Sequence, residues 1–202
     1  MNRVILSAST DETILAVTRQ HKLVDLEIEQ QINTEIVGCI YKGVVKNIVP
    51  AVDGIFVDIG IGKNAFLRRK DLLNEKRFPT EGSPILAQVI KSDTDMKGAL
   101  ITEKISMFGK YAVTLSGTGY IGVSKKIRQE SVRKRLKEIG KEICAEHMGL
   151  IIRTAAENAD MDEFRKDITR LKENWDIIQK RFRMEKSPTL LYRESDIIVK
   201  AL

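Results

Sequence analysis

Five short runs of alternating residues between positions 36 and 105 constrain this chain most. They are VGCIYKGVVKNIV, GIFVDIG, NAFLRR, PILAQVIKSD and GALITEKI. Each reads as a β-strand, and glycine, proline or aspartate marks the gaps between them. In GIFVDIG, Ile55, Val57 and Ile59 share one strand face, and Phe56 and Asp58 share the other. In NAFLRR, Ala65 and Leu67 oppose Asn64, Phe66 and Arg68. Alternation therefore sets both phenylalanines on faces that carry polar and charged residues.

The first run is long and holds Gly38 and Gly43, where a strand can bend to serve both sides of a small barrel. A short helix is expected at DLLNEK, residues 71–76. Five strands with a helix between the third and fourth is the pattern of an OB-fold, whose second and third strands form the nucleic-acid face. The fold class is accordingly α+β, with a five-stranded OB barrel at 36–105.

The flanks differ. Residues 1–35 read as a small meander, VILSAS, ETILAVTR and LVDLEIE, turning at Thr10-Asp11-Glu12 and Gln20-His21-Lys22. Asp11, Glu12, Asp25, Glu27, Glu29 and Glu35 outweigh Arg3, Arg19 and Lys22, so this piece does not look like an RNA surface. Residues 106–190 mix strands and helices. YAVTL and YIGVS are strands joined by Gly117-Thr118-Gly119. A basic amphipathic helix is expected within Lys125–Lys141, with Val132, Leu136, Ile139 and Ile143 stepping by four and three. GLIIRTA is a buried strand. The longest helix signal follows: Met161, Phe164, Ile168, Leu171, Trp175, Ile178 and Phe182. Asp160 with Glu163 reads as a capping box with Asp in place of Ser or Thr. Pro188 follows the helix end, and TLLYRES is a last strand. DIIVKAL, from Asp196, reads as the first turns of a helix without a C-cap, so the chain is expected to be a piece of something longer.

A chain of 202 residues with 43% apolar and 31% charged residues is globular, with room for one ordinary domain or two small ones. Its net charge of +6 favours polyanionic partners. Cys39 and Cys144 are far apart, which gives neither a zinc motif nor a disulfide framework. MNRVILSAST lacks the apolar core of a signal peptide, and no apolar run is long enough to span a bilayer. A cytoplasmic protein is expected.

Exposed aromatic rings on an OB barrel hold single-stranded nucleic acid by base stacking, while cations neutralise its phosphates. Phe56 and Phe66 are the candidate rings, and Lys42, Lys46, Lys63, Arg68, Arg69 and Lys97 the candidate cations. The same rings would also suit a covered barrel end or a domain contact. The basic run from Lys125 to Lys141 suits either a solvated helix face or part of an RNA path. Arg153 and Thr154 close an apolar strand. A guanidinium fork beside a hydroxyl suits a terminal phosphate, and Arg153 in a structural salt bridge is the plainer alternative. His21 and His147 lie in different segments, and no nucleophile triad, phosphate loop or metal-binding histidine pair occurs. Asp53 and Asp58 are assigned no metal.

Several of these stretches, in their order, resemble the bacterial ribonuclease E/G family. They are IYKGVVKNIVPAVDGIFVDIGIGKNAFLRRKDL, MKGALITEKISMFGKYAVTL, GVSKKI and GLIIRTA. The resemblance covers essentially the whole chain. It implies an incomplete RNase H-like subdomain at 1–35, completed by a segment that begins at 191–202. It implies an S1-type OB domain at 36–105 and a 5′-sensor for RNA monophosphate ends at 106–190. Phe56 and Phe66 resemble the residues that hold RNA bases, and Lys97 a basic residue of the RNA channel. Arg153 and Thr154 resemble the phosphate-binding pair, and Gly109 and Val113 the contacts to the terminal nucleotide. At GVSKKI, Lys125 and Lys126 stand where more familiar members have a double arginine, which keeps charge but weakens bidentate contacts.

The resemblance also implies magnesium-dependent cleavage, and often zinc-linked homo-oligomers, through ligands outside these residues. The chain as written is therefore expected to bind single-stranded RNA, preferably 5′-monophosphorylated, and not to cleave it. Two rivals remain open. One is a non-catalytic OB-fold RNA-binding protein associated with translation or the ribosome. The other is a protein-interaction scaffold, whose binding would depend little on salt.

Overall fold

The computed structural model describes residues 2–8, 12–20, 22–30, 36–76, 78–94, 97–144 and 148–193. They fall into two compact units, one drawn from Met1–Ile36 together with Arg193–Leu202 and one spanning Val37–Tyr192. In the first, β1 (Asn2–Ala8), β2 (Glu12–Arg19) and β3 (Lys22–Gln30) form an antiparallel sheet in that order. This is the expected meander, with Gln20 at φ 51° in its second turn.

The second unit begins with the barrel. Its strands are β4 (Ile40–Val49), β5 (Gly54–Asp58), β6 (Ala65–Arg68), β7 (Pro84–Lys91) and β8 (Leu100–Thr102). β4, β5 and β6 pair antiparallel in sequence, β6 pairs parallel with β8, and β8 pairs antiparallel with β7. β7 returns to β4 and closes the ring. Closure depends on β4 changing partner along its length: residues 40–44 pair with β7, and residues 44–49 pair with β5. Gly38 lies just ahead of this strand, with φ 84°, instead of within it. Ile55, Val57, Ile59, Ala65, Leu67, Ala87, Val89 and Ile101 are buried, as the alternation required.

No α-helix forms at DLLNEK. Arg69–Asp71 make one 3₁₀ turn and the rest is irregular. Six residues cannot offset the cost of nucleating a helix. Tertiary partners satisfy the backbone instead: Leu72 is buried, and the Leu73 amide donates to the Glu103 carboxylate at 2.9 Å.

The chain then forms β9 (Ser106–Phe108), β10 (Ala112–Ser116), β11 (Ile121–Val123), α1 (Glu130–Ile143), β12 (Met148–Ile152), α2 (Met161–Met184) and β13 (Thr189–Tyr192). The second sheet has the order β11-β12-β10-β9. The strands at YAVTL and YIGVS are therefore not neighbours: β12 lies between them, antiparallel to β10 and parallel to β11. α1 starts later than the basic run. Ile127 is buried, and Arg133 Nη1 donates to the carbonyls of Ser124 (2.7 Å) and Ile127 (3.0 Å), which holds Lys125 and Lys126 in a turn.

α2 realises the expected rhythm. Its buried Phe164, Ile168, Leu171 and Ile178 share one core with Ile121, Leu136, Leu150 and Ile152 of the second sheet and α1. Ile40 of the barrel and Leu191 of β13 join the same core. Half of the predicted capping box forms. The Asp160 carboxylate accepts from the amides of Asp162 (2.8 Å) and Glu163 (3.3 Å). The Glu163 carboxylate turns away to the Tyr111 hydroxyl instead (2.6 Å). DIIVKAL lies outside the described residues.

Glu103 carries a pH signature. Burial pushes its carboxyl above the usual range, and the Leu73 amide offsets part of that. A raised folded-state pKa means stability is lost as pH rises through it. Glu103→Gln keeps the acceptor and removes the charge. Its urea midpoint should exceed that of the parent chain at pH 7, and the gain should vanish toward pH 4.

Candidate nucleic-acid interface

Phe56 of β5 and Phe66 of β6 are directly opposite each other in the ladder. Their ring centroids are 5.4 Å apart, tilted by 48°. Phe66 lies across Gly54, where a Cβ would come within 2.4 Å of the ring, so glycine there is what lets the ring lie flat against the strand. Both rings are partly exposed and open onto a cleft of about 600 Å³. Lys91, Thr94, Lys97 and Leu100 also line it. The ammonium groups of Lys91 and Lys97 have no hydrogen-bond or ion-pair partner among the described residues. Lys91 was missed in the sequence because it ends an ordinary strand. Only barrel closure carries it to the rings.

Other candidate cations are engaged elsewhere. Arg68 Nε is hydrogen-bonded to Asp71, three residues on. Arg69 pairs with Asp53 and lies 3.7 Å from the Phe78 ring. Lys46 pairs with Asp58 at 3.3 Å, and Lys63 donates to the Thr94 carbonyl at 3.0 Å. Lys42 does not reach the rings. Its ammonium donates to the carbonyls of Phe182 (2.6 Å) and Glu185 (2.7 Å) at the C-terminal end of α2. It also stands 5.0 Å from the Phe182 ring. A cation there satisfies carbonyls that the helix cannot.

A second cluster forms where β12 ends. Arg153 Nη1 donates to the Gly109 carbonyl at 2.8 Å. Its Nε and Nη2 have no partner among the described residues, leaving one edge of the fork open. The Thr154 hydroxyl is 2.9 Å from the Ser124 hydroxyl. Lys125 and Lys126 follow Ser124 directly and are exposed. Val113 pairs with Phe108 on one side and Ile151 on the other, so these three side chains form one row on the outer sheet face. Phe108 and Ile151 are exposed. Arg153, Thr154, Gly109 and Val113 thus lie together, joined by Ser124 and Phe108. Sequence reasoning passed over both of these. β9 is only three residues long, and a serine hydroxyl gives no pattern of its own.

Residues 34–102 match the S1 RNA binding domain, and residues 106–202 match the Ribonuclease E/G family. The chain is 33% identical over 208 residues to Ribonuclease G of Escherichia coli, covering 95% of this chain and 42% of that protein. The chain belongs to the ribonuclease E/G family. It is also 34% identical to Ribonuclease G of Haemophilus influenzae, over 85% of this chain and 38% of that one. Ribonuclease E of Buchnera aphidicola is 31% identical over the whole chain and 22% of its own length. The chain therefore spans about two fifths of the length of the ribonucleases G it matches. Within this family member, the S1 match covers the barrel and the E/G match covers the second sheet and both helices.

Among the described residues no three His, Cys, Asp or Glu side chains converge as a metal site. No described helix is long and apolar enough to cross a membrane.

The position of Lys42 is testable. Lys42→Met should lower unfolding stability by about 1–2 kcal/mol, the loss of charge-assisted bonds at a helix end. Urea titration of the purified chain measures it.

Proposed function

We propose that this chain supplies the RNA-recognition part of a ribonuclease E/G-type endoribonuclease that acts on single-stranded RNA in cytoplasmic RNA processing and decay. The observation that carries this is the cleft where Phe56 and Phe66 stand beside Lys91 and Lys97. Two tilted rings offer stacking surfaces to successive bases, and two ammonium groups meet the intervening phosphates. The cluster at Arg153 reads the 5′ end. The open edge of its guanidinium and the Thr154 hydroxyl take a terminal monophosphate. A 5′-hydroxyl would leave those donors unpaired, and a triphosphate brings more bulk and charge than one fork can meet. Magnesium-dependent cleavage and zinc-linked self-association belong to the same proposal for the whole enzyme, outside the residues described.

Fluorescence anisotropy with a short single-stranded RNA tests both sites. Phe56→Ala should cost about 1–3 kcal/mol of binding, the worth of one base stack. Lys97→Ala should flatten the slope of log affinity against log salt by about 0.7, as one lost phosphate contact does on a single strand. The 5′-monophosphate form should bind more tightly than the 5′-hydroxyl form, and Arg153→Ala should abolish that difference. Salt-independent binding would overturn the RNA reading. Equal affinity of both RNA forms for the parent chain would overturn the sensor.

A further inference from the structure

We propose that Asp167 is the positioning residue of the 5′-end site: it fixes the two peptide planes that aim Arg153. This rests on Arg153 reading the RNA 5′ end. Asp167 is on α2, between the buried Phe164 and Ile168, and its own residue surface is only 7% exposed. A carboxylate among apolar side chains is costly unless every lone pair is used. Asp167 uses them on a turn 56–57 residues away in sequence. Oδ1 accepts from the Lys110 amide at 3.2 Å and Oδ2 from the Tyr111 amide at 2.8 Å. Arg170 Nη2 adds a contact to Oδ1 at 3.2 Å.

Those two amides belong to the peptide units that carry the carbonyls of Gly109 and Lys110. In a trans peptide the N–H and the C=O point in opposite directions. An N–H held toward Asp167 therefore sends its carbonyl the other way. Both carbonyls meet Arg153 Nη1, Gly109 at 2.8 Å and Lys110 at 3.4 Å. Carboxylate, peptide and guanidinium form a polarised chain in which each bond strengthens the next. The Arg153 amide is bound from the same turn, donating to the Tyr111 carbonyl at 2.8 Å. Nη1 is held by this turn, and Nη2 and Nε are left to face a phosphate.

The turn needs such a restraint because Gly109 permits its peptide to flip. It must be glycine for a reason that is also Asp167. A Cβ at position 109 would come within 2.5 Å of Oδ2. Glu163, four residues earlier on the same helix face, steadies the turn from outside. It accepts from the Tyr111 hydroxyl at 2.6 Å and from Lys110 Nζ at 3.3 Å.

The test compares Kd values for 5′-monophosphate and 5′-hydroxyl RNA of one sequence, using the full chain. Asp167→Asn keeps the shape but turns an N–H₂ toward one of the two amides. The monophosphate preference should fall about tenfold, the worth of a bond to a charged group, with 5′-hydroxyl affinity unchanged because the barrel is intact. The amide proton resonances of Lys110 and Tyr111 should move upfield while the barrel's stay in place, which a general loss of stability would not produce. Gly109→Ala approaches the same contact from the other side. It should lose the preference in the parent background and cost nothing further in Asp167→Ala. Asp167→Asn with the parent's preference would overturn the proposal. So would an equal loss of affinity for both RNA forms. If the parent chain itself has no preference, the sensor reading falls first and this inference with it. If the parent's preference depends on Arg153 but not on Asp167, only this inference fails.

Discussion

Burial of one face of α2 is the constraint on which the larger unit depends. Phe164, Ile168, Leu171 and Ile178 carry the helix against the second sheet and α1, and the same core takes in Ile40 of the barrel and Leu191 of β13. Barrel and second sheet therefore lack separate interiors at this junction. The helix ends are tied as firmly as its middle. Its first turns reach the Gly109–Tyr111 turn through Glu163 and Asp167. Its last turn is capped by Lys42 and stapled to β13 by Arg181, which donates to the carbonyls of Leu190 and Leu191. A helix of 24 residues, on the order of 36 Å long, thus joins the turn beside Arg153 to the barrel strand β4.

Charge is spent unevenly over this surface. The cations nearest the second and third barrel strands in sequence are mostly neutralised by neighbours: Arg68 by Asp71, Arg69 by Asp53, Lys46 by Asp58. Exposed pairs of this kind contribute little stability, and they also withdraw charge from any ligand. The cleft beside Phe56 and Phe66 keeps two ammonium groups without such partners among the described residues. A surplus of +6 is therefore a weak guide to where a polyanion sits, and the pattern of unpaired cations is a sharper one.

Much of the fold was legible because strand and helix periods are local. The alternation in GIFVDIG and NAFLRR correctly separated buried Ile55, Val57, Ala65 and Leu67 from the two rings, and the three-four rhythm from Met161 located α2. The expected helix at DLLNEK failed because six residues obey tertiary partners over propensity. β9 went unseen because three residues carry no measurable period, and the place of β12 between β10 and β11 was not legible because strand order is not a local property. The same divide runs through the sites. Phe56 and Phe66 stood out by strand alternation, whereas Arg153 and Thr154 were weak by residue type and were singled out through the family resemblance. Lys42 was indistinguishable from Lys97 in one dimension, yet one caps a helix and the other faces a cleft.

By itself the sequence determined which faces are apolar, where the barrel and the long helix lie, and which family the chain resembles. These follow from side-chain chemistry at fixed short spacings. Only the tertiary structure decided which charges are left unpaired and why Gly109 is a glycine. It alone made Asp167, a lone acid in an apolar helix stripe, the partner of a turn more than fifty residues away. Hydrogen bonds and ion pairs depend on distances in space, and the chain sets those only when its core has closed.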